Sequence, residues 1–151
     1  IGHSENRASG ETDYIIKEKV FLALKNNLNI IFCIGENRLE KRKKLTLKVL
    51  KKQIVNVLKK NYNLKKIIIA YEPVWAIGTG LTATPDIAEN VHGFIREWVS
   101  KAYSPEVAEK ITIIYGGSVN CRNSKMLLSQ PNINGALVGG ASLDPAEFVK
   151  I

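Results

Sequence analysis

The sequence predicts an α/β protein, a parallel sheet with helices packed outside it. Three observations point there. Short apolar runs of strand length alternate with longer segments of helical period along the whole chain. The runs are continuously apolar, as strands covered on both faces are. They also end at glycine or glutamate, where a strand gives way to a loop.

Ile16, Val20, Ala23 and Leu24 share one helical face, and Thr12 or Asp13 is placed to cap that helix. Ile30 to Ile34 is the first strand, ending at Gly35. Leu47, Leu50, Ile54, Val57 and Leu58 form a second helical stripe, and Ile67 to Tyr71 the second strand. Thr84-Pro85-Asp86 opens a third helix, with Thr84 as cap and Pro85 at the first helical position, where its missing N–H is harmless. Ile87, Val91, Phe94, Ile95 and Trp98 line its buried face. Ile111 to Tyr115 reads as a strand, Ser124 to Leu128 as a short helix, Ala136 to Val138 as a last strand, and a final helix begins at Pro145.

Four strands leave two closures: an open doubly wound sheet, or part of a (βα)8 barrel, whose usual length is about 250 residues. Periodicity does not choose between them.

The 151 residues suit one domain, and 45% hydrophobic with 24% charged residues suits a globular chain. No apolar run is long enough for a membrane span, and the first residues show neither an initiator Met nor a signal pattern. The net charge of +8 raises nucleic acid or an anionic substrate. Its runs (Lys41-Arg42-Lys43-Lys44, Lys51-Lys52, Lys59-Lys60) fall on predicted helices, where solvated faces explain them, and no nucleic-acid reading element accompanies them. Cys33 and Cys121 are too few and too isolated for a disulfide framework or a zinc site. Cys33, inside a strand, is expected to be a buried, inert thiol.

Chemistry is expected at the strand carboxyl ends, where parallel α/β folds bind ligands. Glu36 follows the first strand, Glu72 the second, Gly116-Gly117-Ser118 the third and Gly139-Gly140 the fourth. Paired glycine loops let backbone N–H groups approach an anion, although each alone is also an ordinary turn. Glu72, half-buried at a strand end, suits a general base; a structural glutamate held by a nearby cation is the other reading. Pro73, Val74, Trp75, Ala76, Ile77, Gly78, Thr79 and Gly80 put apolar residues on a loop, as a water-excluding lid does. His3 can lie at a helix start, whose dipole disfavours the protonated ring. His92, inside a predicted helix, is expected to be a surface or packing residue.

The run from Ala70 to Gly80 resembles the signature and lid loop of the triosephosphate isomerase family. Ile1-Gly2-His3-Ser4-Glu5, Cys33-Ile34-Gly35-Glu36, Tyr115-Gly116-Gly117-Ser118 and Val138-Gly139-Gly140-Ala141-Ser142-Leu143 are similar to family motifs in the same order. The resemblance implies a (βα)8 barrel of which this chain carries units 5 to 8, with the loop and helix after strand 4. It implies interconversion of dihydroxyacetone phosphate and glyceraldehyde 3-phosphate, without cofactor or metal. Glu72 would be the base, His3 a neutral electrophile, and Glu5 a supporting carboxylate. Backbone N–H groups of Gly78, Ser118, Gly139 and Gly140 would hold the phosphate. A cytoplasmic homodimer of glycolysis and gluconeogenesis follows, with a plastid or other organelle as the alternative setting, and with neither nucleic acid nor membrane as partner.

Some features depart from the pattern. The family's substrate-binding Asn and Lys belong to a first unit that does not precede His3 here; roughly 100 residues of the ~250-residue barrel are not represented. Asn6 stands where an Arg is usual, the Arg7-Ala8-Ser9-Gly10 stretch is one residue short, and Leu81 replaces a Lys at the lid hinge. A catalytically inactive half-barrel that binds phosphate weakly or self-associates through exposed faces is therefore the competing expectation.

Overall fold

The computed structural model describes residues 1–77 and 82–151. Helix α1 (Ser4–Ala8) is followed by α2 (Asp13–Lys25), β1 (Ile30–Ile34), α3 (Arg38–Arg42), α4 (Thr46–Val57), β2 (Ile67–Tyr71), α5 (Pro85–Ala102), α6 (Pro105–Lys110), β3 (Ile113–Tyr115), α7 (Ser124–Leu128) and α8 (Pro145–Phe148).

The strands form one parallel sheet in the order β1-β2-β3. Ile34 pairs with Tyr71, and Tyr71 with Tyr115, so all three strands end level with one another. The residues that follow, Gly35, Glu72 and Gly116, therefore emerge side by side. Ile1 runs along the free edge of β1: its amino group donates to the Ile31 carbonyl (2.8 Å), and the Cys33 N–H donates to the Ile1 carbonyl (2.9 Å). That pairing delivers His3 to the same end of the sheet.

One face of the sheet, carrying Phe32, Ile34, Ile69, Tyr71, Ile113 and Tyr115, packs on Ile16 and Val20 of α2, Leu50, Ile54 and Val57 of α4, and Ala88, Val91, Ile95 and Val99 of α5. Each large apolar side chain buried here stabilises the fold by roughly 1.5–3 kcal/mol relative to exposure. On the opposite face the buried cluster is small, Cys33, Ala70 and Ile114, with Ile68 and Leu137 half-buried beside them and Ile31 exposed. A doubly wound sheet would carry helices on both faces; helices on one face alone match a segment of barrel wall.

The helix boundaries follow local chemistry. Thr84 Oγ1 accepts from the Ile87 N–H and Pro85 occupies the first turn of α5, as expected. Asn37 and Glu40 cap α3 reciprocally. Helix α2 ends in paired bonds from Asn27 N–H to Leu24 O and from Leu28 N–H to Ala23 O, with Asn27 at φ 59°. Lys44 takes the same left-handed position after α3, at φ 56°.

Two expectations are corrected. The strand expected from Ile111 starts at Ile113, because Pro105–Lys110 forms α6, whose final turn continues through the Ile111 N–H to the Val107 carbonyl. The strand expected at 136–138 is a single bridge, Ala136 to Tyr115. It goes no further because Gly139 (φ −90°, ψ −108°) turns the chain into the short 3-10 segment Gly140–Leu143. Of the basic runs, Arg42, Lys43, Lys44, Lys51, Lys52, Lys59 and Lys60 are exposed and Lys41 is half-buried; Lys43, Lys44, Lys59 and Lys60 lie beyond the ends of α3 and α4 and not on the helices expected to carry them.

Candidate active site

Glu72 leaves β2 almost wholly buried, with 2% of its surface exposed. Its backbone is fixed by the bond from its N–H to the Ile34 carbonyl (2.7 Å). Two glycines make room for it. A Cβ on Gly35 would lie 1.7 Å from the Glu72 carbonyl oxygen, and one on Gly116 would lie 2.9 Å from Glu72 Cγ. Side chains at either position would displace the carboxylate, so the glycines after β1 and β3 are packing requirements of the residue between them.

The Glu72 carboxylate faces α1. The Ser4 N–H donates to Oε2 at 3.0 Å, and Oε1 lies 3.1 Å from His3 Nε2. Despite that approach, Oε1 receives no hydrogen bond among the described residues. Burial raises the carboxyl pKa above its ordinary value; the facing imidazole, the Ser4 N–H, the Cys33 thiol and Arg7 oppose that rise without cancelling it. Cys33 is buried beside this group, and burial with the nearby carboxylate pushes its thiol up to about 12, so it stays protonated.

His3 is the N-cap of α1. Its Nδ1 accepts from the Glu5 N–H at 3.4 Å, which assigns the ring proton to Nε2, the nitrogen facing Glu72. With Nδ1 accepting, the Nε2–H is a donor on the cleft side of the ring. Arg7 locks the loop: its guanidinium donates to the Gly2 carbonyl (2.8 Å), the Cys33 carbonyl (3.2 Å) and Asp13 (2.8 Å). The shortened segment closes at Gly10 (φ 99°), with the Glu11 N–H bonded to the Asn6 carbonyl. Glu5, expected to be supporting, keeps its side chain 87% exposed, with Oε2 3.9 Å from His3 Nδ1.

The two residues together line a cleft of about 470 Å3 with Ile77, Gly116, Gly117, Ser118, Val119, Leu137, Val138, Gly139, Gly140 and Ala141. Three of the four expected phosphate-holding residues are therefore gathered in one place. The N–H groups of Ser118 and Gly139 have no protein partner among the described residues, and Gly140 opens a 3-10 turn whose first N–H groups lack internal acceptors. The fourth, Gly78, lies outside the described residues with Thr79, Gly80 and Leu81. Among the described residues, neither Lys nor Arg lines the cleft.

The described start of the expected lid, Pro73 to Ile77, contains a 3-10 turn at Val74–Ala76. Trp75 Nε1 donates to Glu36 Oε1 at 2.9 Å. The sequence marks Glu36 only as a strand-end carboxylate; the structure makes it a fully buried acceptor. It takes Thr46 Oγ1 (3.0 Å) and Tyr71 Oη (3.2 Å) as well, and Lys41 Nζ sits 4.0 Å from it and 5.0 Å over the Trp75 ring. Ser118 Oγ donates to the Ala76 carbonyl at 3.0 Å, tying the loop after β3 to the 3-10 turn at Val74–Ala76. The sequence signal for this hub was available in part: a Glu ending an apolar strand must find donors. Which donors reach it depends on segments distant in sequence.

A family model for triosephosphate isomerase matches residues 1–151. The chain is 51% identical over 155 residues to a triosephosphate isomerase of Geotalea uraniireducens, covering 100% of this chain and 61% of that protein. The corresponding enzyme of Geobacter metallireducens is 49% identical over 151 residues, covering 98% and 60% respectively. That of Neurospora crassa is 46% identical over 152 residues, covering 100% and 61%. The chain thus spans about three-fifths of the length of the curated relatives it matches. With this coverage of its own length, the chain belongs to the triosephosphate isomerase family.

Proposed function

We propose that this chain carries the proton-transfer machinery of an isomerase acting on triose phosphates, exchanging dihydroxyacetone phosphate and glyceraldehyde 3-phosphate. The observation that carries the reading is the approach of His3 Nε2 to a buried carboxylate, Glu72, at 3.1 Å, in a cleft lined by glycine loops.

In this reading the Glu72 carboxylate takes the proton from the hydroxyl-bearing carbon beside the substrate carbonyl. The electron pair of that C–H bond becomes the enediolate double bond, and negative charge collects on the former carbonyl oxygen. His3 Nε2–H donates to that oxygen and stabilises the charge. His3 gives its Nε2 proton to that oxygen and takes up the proton of the neighbouring hydroxyl, while Glu72 returns its proton to the former carbonyl carbon, so that the hydroxyl-bearing carbon becomes the new carbonyl. A carboxyl pKa raised by burial brings the base closer to the pH at which it works. The N–H groups of Ser118, Gly139 and Gly140 suit the phosphate, and Trp75, anchored on Glu36, suits the base of a closing loop.

That no Lys or Arg lines the cleft among the described residues favours a second reading, a phosphate-binding partial barrel without turnover. A coupled isomerase assay with a Glu72→Gln control, on a sample of measured mass, separates the two. Turnover abolished by the substitution supports the isomerase. A folded chain with no turnover sinks it and leaves the binding reading.

A further inference from the structure

His92 is the wholly buried one of the chain's two histidines. It projects from α5 beneath the carboxyl ends of β2 and β3. Its ring meets Tyr71 edge-on (centroids 5.9 Å apart, planes at 81°) and Tyr115 at a tilt (6.3 Å, 37°). The two tyrosines meet each other at 6.3 Å and 62°, which closes a triangle of rings. Tyr71 immediately precedes Glu72, and Tyr115 immediately precedes Gly116 and Gly117.

The far ends of both tyrosines reach the site. Tyr71 Oη donates to Glu36 at 3.2 Å, and Tyr115 Oη lies so close beneath Gly117 that a Cβ there would stand 2.2 Å from it. On the other side, His92 Nδ1 lies 3.3 Å from the Asn132 carbonyl oxygen. Asn132 is itself pinned by Glu89 (3.0 and 2.6 Å) and Arg96 (2.8 Å). Nδ1 therefore carries the proton, and Nε2 keeps a lone pair that has no partner among the described residues. Burial pushes the ring's pKa down to about 4, so it stays neutral at physiological pH. An unpartnered buried nitrogen is a penalty that an apolar side chain would not bring.

We propose that His92 is a positioning residue for the candidate active site. Its ring, anchored to Asn132, sets the spacing of Tyr71 and Tyr115, and through them the spacing of Glu72 and the loop at 116–118. The inference rests on the isomerase reading above. Densely packed rings transmit displacement instead of absorbing it, and misplacing a reacting group by about 1 Å can cost on the order of a hundredfold in rate.

The test compares His92→Leu, which keeps apolar bulk without a flat ring, with His92→Phe, which keeps the ring. Turnover should fall about tenfold in His92→Leu with KM within about threefold, and return to within about threefold in His92→Phe. A second readout needs no turnover: the 13C titration of the Glu72 carboxyl. Its midpoint should move toward the ordinary carboxyl value in His92→Leu and stay in place in His92→Phe. Should His92→Leu not fold, His92→Met takes its place. The proposal is overturned if neither kcat nor the Glu72 midpoint changes in the ringless variant. Equal losses in both variants, tracking only a lower melting temperature, overturn it too. A parent chain without turnover defeats the isomerase reading alone, and the Glu72 titration then decides the role of His92.

Discussion

Replacing Gly35 by alanine tests how the base is held. The new Cβ would lie 1.7 Å from the Glu72 carbonyl oxygen, a backbone atom, where ordinary contact begins at 3.4 Å. The ends of β1 and β2 must then part by about 1.7 Å, the difference of those two distances. Gly35 is flanked by the bonds from Glu72 N–H to Ile34 O (2.7 Å) and from Val74 N–H to Glu36 O (3.1 Å), and both stretch beyond bonding range. Each such bond is worth roughly 0.5–1.5 kcal/mol, and overpacking adds roughly 1–3 kcal/mol, for a loss of about 4 kcal/mol. A loss of that size is a large part of a typical domain's 5–15 kcal/mol, and lowers the melting temperature of a chain this long by about 8–16 °C. Thermal unfolding followed by far-ultraviolet circular dichroism measures it. Gly93→Ala is the control: a Cβ there meets only Asn132 Nδ2 at 3.5 Å inside α5, and helix propensity should raise stability by up to about 1 kcal/mol. If Gly35→Ala melts within about 2 °C of the parent, the close approach of β1 to Glu72 is wrong.

Glu72 and His92 should mark the pH dependence of stability in opposite senses. The Glu72 carboxyl is raised in the folded chain above its ordinary 4.5, so its contribution is full below that value and is lost as pH rises through the folded midpoint. Glu72→Gln should therefore be more stable than the parent at pH 7, and the difference should vanish near pH 4; urea unfolding at both pH values reads it. His92 is lowered from 6.5 to about 4, so its contribution is present above 6.5 and lost as pH falls through about 4. His92→Phe should flatten that acid limb, by about 3 kcal/mol at most in unfolding free energy. Lys44, left-handed at φ 56° after α3, should be improved by glycine: Lys44→Gly is expected to raise stability by about 1 kcal/mol in denaturant titration.

Much of this architecture is written locally. Thr84-Pro85 sets the start of α5, and the stripe Leu50, Ile54, Val57 sets the buried face of α4, without reference to anything distant. Ser104-Pro105-Glu106 carries the same start signal for α6, and Asn37 with Glu40 the signal for α3. The pairing of His3 with Glu72 is legible only through the family motifs, because the two are 69 positions apart and meet through strand register. The triangle of Tyr71, His92 and Tyr115 could not be read in advance, since a histidine on a helical stripe looks the same whether it packs between tyrosines or faces solvent. The last strand was over-read at 136–138: its apolar residues are real, but the turn at Gly139 limits the pairing to one bridge.

The central claim is that Glu72 moves a carbon-bound proton of a triose phosphate in this chain. Its most direct test is deuterium incorporation: the folded 151-residue chain is incubated with dihydroxyacetone phosphate in deuterium oxide and followed by proton NMR. Loss of the carbon-bound proton signal with the parent chain, and none above background with Glu72→Gln, is the predicted result. Equal exchange by both proteins, or none by a folded parent, contradicts it.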